Sequence, residues 1–306
     1  MISHISLKAA AKINLYLEIT GNRPDGYHDL VMVLQSIDLC DRVDIRKVSH
    51  KSGTDKIQVT CTNPEVPCDH TNLAYKAAAL LQSTYSDIGG MEIAIAKQIP
   101  MGAGLAGGSA NAAAVLVGIN RLWDLGLTQP QLCEFAAQLG SDIPFCVVGG
   151  TALATSRGDI LSPLPDLTNL VLVICKPRQI AISTAWAYQT FRAQGLLAKS
   201  LIKDQNLSSQ MVTAIASGGE SAPTKIGRLL YNDLERVVLP EYPAIADLKN
   251  KLLNQECIGA MMSGSGSTVF VIAPDLDRAH QIAEAIKADD LDVWVVKSLI
   301  SSIFDA

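Results

Sequence analysis

The chain has 306 residues, 48% of them apolar and 18% charged, with a formal net charge of −5. That length serves two ordinary domains or one large one, and the composition supports a substantial core and excludes global disorder. The basic residues are scattered rather than gathered into a stripe that follows a phosphate backbone, so nucleic acid is not an expected partner. No apolar run nears the roughly 20 residues of a membrane span, and no membrane partner is expected.

The seven cysteines are odd in number and include no C-x-x-C pair, which reads as small buried residues in a reducing compartment. Cys61, Cys68 and His70 cluster but lack a fourth ligand, so no metal is assigned to them. Met1 to Ile5 lead straight into a strand-like pattern, and the expectation is a cytoplasmic protein without a leader peptide. Oligomeric state is left open.

Along the chain, Ile13, Leu15, Leu17 and Ile19 alternate with Lys12, Asn14, Tyr16 and Glu18, predicting a strand with the two sets on opposite faces. Arg23-Pro24-Asp25-Gly26 is a turn, since Pro presets φ and Gly permits φ > 0. Residues 31–34, 43–45 and 57–61 read as strands. Thr71 or Asn72 caps a helix carrying Leu73, Ala77, Leu80 and Leu81, and Met91, Ile93 and Ile95 mark another strand. Ala112, Leu116, Ile119 and Trp123 share one helix face. Thr128-Gln129-Pro130-Gln131 is a capping-box signature for a helix ending near Gly140.

Two prolines at 163 and 165 suggest a boundary, dividing the chain into residues 1–163 and 164–306. Beyond it, 171–174, 260–262, 268–272 and 293–296 read as strands. Residues 183–191, 225–238, 244–253 and 278–287 read as helices, while 195–223 show no clear period. Strands mixed with helices in both halves argue for an α+β fold.

The richest segment is Pro100-Met101-Gly102-Ala103-Gly104-Leu105-Ala106-Gly107-Gly108-Ser109-Ala110-Asn111, between an apparent strand and an amphipathic helix. Its glycines let backbone N–H groups approach an anion, and the helix start adds unpaired donors and a positive dipole end. A flexible packing turn is the plainer alternative. A Walker A frame fails because Gly108 stands where that motif needs lysine. Gly102-x-Gly104-x-x-Gly107 matches the dinucleotide fingerprint of nicotinamide-dependent dehydrogenases, but the acid-ended strand about 20 residues on is missing. A protein-kinase reading lacks its companion motifs.

The same loop resembles the central ATP motif of the GHMP kinase superfamily. Ala11-Lys12-Ile13-Asn14-Leu15 with Arg23-Pro24-Asp25-Gly26-Tyr27-His28, and Leu139-Gly140-Ser141-Asp142-Ile143-Pro144-Phe145, are similar to one branch of it. Met262-Ser263-Gly264-Ser265-Gly266-Ser267-Thr268 resembles the superfamily's third, glycine-rich motif. Four motifs in order span residues 9–270. Ala106 departs from the commoner glycine, and alanine disfavours the positive φ expected there.

The resemblance implies a two-domain α+β fold, with an N-terminal domain like domain 2 of ribosomal protein S5 and a ferredoxin-like C-terminal domain. It implies ATP as co-substrate, with Mg²⁺, bound by the loop from Pro100 to Ala110. The branch phosphorylates the 2-hydroxyl of the small molecule 4-(cytidine 5′-diphospho)-2-C-methyl-D-erythritol, on a non-mevalonate route to isoprenoid precursors. Its implied catalytic residues are Asp142, able to take the hydroxyl proton, and Lys12, able to screen developing charge. Asp two residues before Pro is also a good helix N-cap, and Lys12 also reads as a solvated strand lysine. Asn14, Tyr27, His28, Thr184 and Tyr188 match the substrate pocket, with Trp186 competing with Tyr188 for the second face of the base. Ser109 is the loop hydroxyl placed to meet phosphate or Mg²⁺. No protein metal ligand is assigned. Another superfamily kinase, and a non-catalytic nucleotide-binding module, remain as rival readings.

Overall fold

The structure, a computed structural model, describes residues 3–48, 56–168, 170–197 and 206–306. Two long antiparallel strands, β1 (His4–Asn22) and β2 (His28–Val48), form its spine. The first sheet adds β3 (Ile57–Cys61), β4 (Gly90–Ala96), β5 (Thr151–Ser156) and β6 (Ile160–Pro163). The second sheet contains β7 (Val171–Pro177), β9 (Gly259–Met262), β10 (Val269–Ala273) and β11 (Leu291–Lys297), in the order β11-β7-β10-β9. Counted in chain order that is 4-1-3-2, all antiparallel, the ferredoxin-like arrangement. Two short strands from the C-terminal half, β8 (Tyr231–Asn232) and β12 (Ile303–Asp305), return to pair with β1, so the two halves interlock.

Helices α1 (Leu73–Thr84), α2 (Gly107–Trp123) and α3 (Gln129–Leu139) share one core with β1 to β4. Asn72 caps α1 by accepting the Ala74 N–H, and Thr128 with Gln131 forms the expected capping box on α3. The short α4 (Ile143–Val148) follows, capped at its C-terminus by Gly149. In the second half lie α5 (Thr184–Ala193), α6 (Leu207–Ser217), α7 (Ala222–Arg228), α8 (Glu235–Glu241), α9 (Pro243–Leu253) and α10 (Leu276–Ile286). Within the aperiodic stretch 195–223, residues 198–205 lie outside the described residues, and α6 occupies much of the remainder.

Three sequence expectations are corrected. Residues 225–238 are not one helix: β8 interrupts them, because Asn232 turns inward to hold the carbonyls of Met262 and Gly264, each at 2.8 Å. The separate strands at 31–34 and 43–45 are one continuous strand, β2. The alternation along β1 also fails to persist. Asn14 faces Leu34 and Tyr16 faces Val33, leaving Leu15 as an extra residue in a bulge. A bulge reverses the faces that follow it. Ile13, Leu15 and Tyr16 therefore pack in the first core, whereas Leu17 and Ile19 pack in a second core with the other sheet.

The C-terminal segment closes the first sheet. Ser302 O accepts the Ala10 N–H at 2.8 Å, and Ser36 Oγ meets Ser302 Oγ at 2.7 Å. Gly149 lies under it at φ +73°, where an added Cβ would fall 2.3 Å from the Ser302 backbone nitrogen. Gly149→Ala is expected to destabilise the fold by roughly 2–3 kcal/mol, from positive-φ strain plus displaced backbone, read as a lower urea midpoint.

Candidate active site

A cavity of about 910 Å³ runs between the glycine loop, β1, the turn after it and α5. Residues Pro100 to Ser109 line it, together with Lys12, Asn14, Tyr27, His28, Asp142, Thr184 and Tyr188. Ala110 departs from the expectation. It is fully buried in the first core, and its N–H already bonds Ala106 O at 2.9 Å, so its side chain faces away from the cavity.

The loop is built by its anchors. Asp41, fully buried on β2, accepts the N–H groups of Gln98 and Ile99 at 2.7 and 2.8 Å and the Lys97 ammonium at 2.6 Å. This buried ion pair fixes the chain as it leaves β4 and enters the loop. Lys97 Nζ also donates to Ile99 O at 2.5 Å. Further on, Leu105 O accepts the Lys12 N–H at 3.1 Å, and Ser263 Oγ donates to Gly104 O at 3.1 Å. Gly104 has φ +73°, and a Cβ there would lie 2.0 Å from Ser263 O, so no side chain fits. Ala106 adopts the left-handed conformation at φ 57° despite its Cβ, a cost of about 1 kcal/mol accepted to turn the chain into α2. The first N–H groups of α2 then open toward the cavity without helical partners, an anion site by construction.

Lys12 is buried, only 4% exposed, which removes the reading of a solvated lysine. Its ammonium donates to Asn14 Oδ1 at 2.7 Å and stands 3.8 Å from Asp142 Oδ2. Asn14, fully buried, donates in turn to Met32 Sδ at 3.4 Å. Asp142 precedes α4, yet its carboxylate makes no capping bond; it faces Lys12 with its side chain 38% exposed to the cavity. A carboxylate that is both held by a fixed cation and open to the cavity can accept a proton from a group that enters it.

At the far end the walls are aromatic. His28 lies 5.3 Å from Tyr188, centroid to centroid and tilted 33°, and its edge meets Phe191. His28 Nε2 is buried without a partner among the described residues. Burial, and then the charge of Arg192, hold the imidazole below its ordinary pKa. Tyr27 is 53% exposed, with the Arg157 guanidinium 5.2 Å from its ring centre. Burial, with the Asp142 and Asp233 carboxylates, raises the Tyr188 phenol far above its usual value, so it stays neutral. Between the two candidates on α5, Tyr188 lines the cavity, while Trp186 packs edge-on against Tyr242 at 5.5 Å. Thr184 Oγ1 meets Ser265 Oγ at 2.9 Å, joining α5 to the third glycine-rich motif.

Sequence reasoning missed the Asp41–Lys97 pair, Arg157 and Arg192, and it gave no role to Asn111, which lies buried on α2 at the cavity with its Oδ1 unpartnered among the described residues. Arg192 alone carried a local signal, four residues after Tyr188 on the same helix face.

The GHMP kinases N terminal domain matches residues 72–150, and the GHMP kinases C terminal domain matches 211–290. A 4-diphosphocytidyl-2-C-methyl-D-erythritol kinase of Nostoc punctiforme is 50% identical, with 97% of each chain covered. One from Gloeothece citriformis is 48% identical over 95% of each. This chain belongs to the 4-diphosphocytidyl-2-C-methyl-D-erythritol kinases of the GHMP kinase family. A crystal structure of a kinase of that name superposes with a TM-score of 0.76 at 29% identity, covering 96% of this chain and 99% of the other. Homoserine kinase from Cytophaga hutchinsonii superposes at TM-score 0.79 with 21% identity, over 99% and 98% of the two chains, which shows the shared fold alone.

The Asp41 anchor generates a test. Asp41→Asn keeps acceptors for the two backbone N–H groups but leaves the Lys97 ammonium buried without its counter-charge. The expected outcome is about 3 kcal/mol less stability by urea unfolding, with weaker MgATP binding by calorimetry.

Proposed function

We propose that this chain transfers the γ-phosphate of ATP to the 2-hydroxyl of 4-(cytidine 5′-diphospho)-2-C-methyl-D-erythritol, serving the methylerythritol phosphate route to isoprenoid precursors. The observation that carries the chemistry is the meeting of Lys12 and Asp142, 3.8 Å apart, between an anion-binding loop and an aromatic pocket.

Phosphoryl transfer asks the protein chiefly for positioning and charge stabilisation. The loop N–H groups and Ser109 hold the ATP phosphates at the start of α2. The substrate's cytosine lies between the Tyr27 and Tyr188 rings, with His28 presenting a neutral imidazole to its edge. That placement brings the 2-hydroxyl to Asp142, which accepts its proton as the oxygen bonds the γ-phosphorus and the bond to the β,γ-bridging oxygen breaks, releasing ADP. Lys12, held by Asn14, stabilises the forming alkoxide and the charge on the transferring group. Mg²⁺ would be held chiefly by the phosphate oxygens themselves, with the Ser109 hydroxyl as the hard oxygen donor that the loop offers. When bound it neutralises charge on the phosphates. The setting is cytoplasmic, in keeping with seven free cysteines. No described helix is long and apolar enough to cross a membrane.

A coupled ADP-release assay with MgATP tests the reaction, with mevalonate, homoserine and galactose as rival acceptors. Release with the cytidyl substrate alone is expected; turnover with a rival and silence with the cytidyl substrate would overturn the pocket assignment. Asp142→Asn is expected to fold normally and lose most turnover, at least a hundredfold in kcat on the scale of general-base catalysis. Lys12→Met is expected to depress kcat far more than it raises the KM for ATP, and an effect confined to KM would remove Lys12 from the transition state.

A further inference from the structure

The turn that carries Tyr27 has little packing of its own. Gly26, at φ +90°, has open space around it, and Tyr27 is 53% exposed. Within the turn, Arg23 bonds Asp25 at 3.1 Å and Asp29 at 2.9 Å, and Asp25 Oδ1 accepts the Tyr27 N–H at 3.1 Å. These bonds fix the shape of the turn but not its distance from α5, where the opposite wall, Tyr188, resides.

Among the described residues, one hydrogen bond spans that gap. Arg192, in the last turn of α5, donates from Nη2 to Tyr27 O at 2.7 Å. The same carbonyl accepts the Arg23 N–H at 3.0 Å, so both of its lone pairs are engaged. Arg192 and Tyr188 lie four residues apart, hence on one helix face, and both line the cavity. Between them His28 packs its ring on Tyr188 and its edge on Phe191. Arg192 Nε is buried and finds no partner among the described residues. An unpaired buried donor on a charged group is costly, so this guanidinium is held where its packing alone does not satisfy it.

We infer that Arg192 is a positioning residue for substrate recognition: by tying the Tyr27 carbonyl to the helix that bears Tyr188, it sets the separation of the two aromatic walls of the cytosine slot. The inference rests on the reading of Tyr27 and Tyr188 as those walls. Arg192 does not touch the reacting atoms, so it acts on recognition of the cytidyl group and leaves the phosphate loop alone. A methionine at this position keeps the apolar stem and removes the donor; a lysine keeps the charge and one donor to the carbonyl but loses the planar fork.

The test compares steady-state kinetics of the wild type, Arg192→Met, Arg192→Lys and Tyr27→Ala, with thermal unfolding of each. Arg192→Met is expected to raise the KM for the cytidyl substrate about tenfold, the usual loss for a hydrogen bond to a charged group. The KM for MgATP and kcat should stay within about twofold, and Arg192→Lys should recover part of the loss. A merely structural role would instead lower the melting temperature and raise both KM values together, which would overturn the inference. If Tyr27→Ala raises the cytidyl KM while Arg192→Met leaves it unchanged, the inference alone fails. If Tyr27→Ala leaves that KM unchanged, the wall reading fails and takes the inference with it.

Discussion

Gly104 and Ser263 lie against each other so closely that neither backbone can shift without the other. Ser263 Oγ holds Gly104 O at 3.1 Å, and the Ser263 carbonyl occupies the space where a Gly104 side chain would begin. Next to Gly104, Leu105 O accepts the N–H of Lys12 at 3.1 Å. Next to Ser263, Gly264 would place a Cβ 3.4 Å from Asn14 Oδ1. Three stretches far apart in sequence are thus pressed into one junction of backbone atoms. Because Lys12 and Asn14 are in it, the glycine loop and the groups proposed for chemistry share one frame. Asn232 supports that frame from below, holding the carbonyls on either side of Ser263.

The electrostatics follow from the same convergence. The protein as a whole is acidic, with a net charge of −5, yet the cavity is lined by Lys12, Lys97, Arg157 and Arg192 against the carboxylates of Asp25 and Asp142. The cavity therefore carries its own local positive charge, set apart from the acidic field of the whole chain. Two of those cations are engaged with carboxylates, Lys97 with buried Asp41 and Arg157 with Asp159. The buried Lys97–Asp41 pair fixes direction more than it adds stability. Lys12 differs, since its carboxylate neighbour is itself open to the cavity.

Much of the candidate site was legible in the sequence because a loop that turns its backbone N–H groups to one cavity is built of contiguous residues. The run from Pro100 to Ser109 carries its glycines where positive φ or close approach requires them, as Gly102 and Gly104 show. Helix ends were legible for the same local reason, since Asn72 and Thr128 are their own signals. The parts that were not legible depend on partners remote in sequence. The bulge at Leu15 reverses the faces of β1 because β2 pairs around it, and nothing in the alternation announces it. The interruption of 225–238 by β8 is imposed by β1, which pairs with Tyr231 and Asn232 more than 200 residues away in sequence. Asp41 looks like any strand aspartate until Lys97, Gln98 and Ile99 arrive from β4.

The convergence of loop, base and aromatic slot is tested most directly by a crystal structure with a non-hydrolysable ATP analogue and 4-(cytidine 5′-diphospho)-2-C-methyl-D-erythritol bound together. The phosphates should lie at the N-terminus of α2, with the cytosine between Tyr27 and Tyr188. The substrate 2-hydroxyl should then sit within hydrogen-bond reach of Asp142, roughly 2.6–3.2 Å, and beside the Lys12 ammonium. A complex in which that hydroxyl points away from both Lys12 and Asp142 while the phosphates occupy the loop would contradict the proposed chemistry.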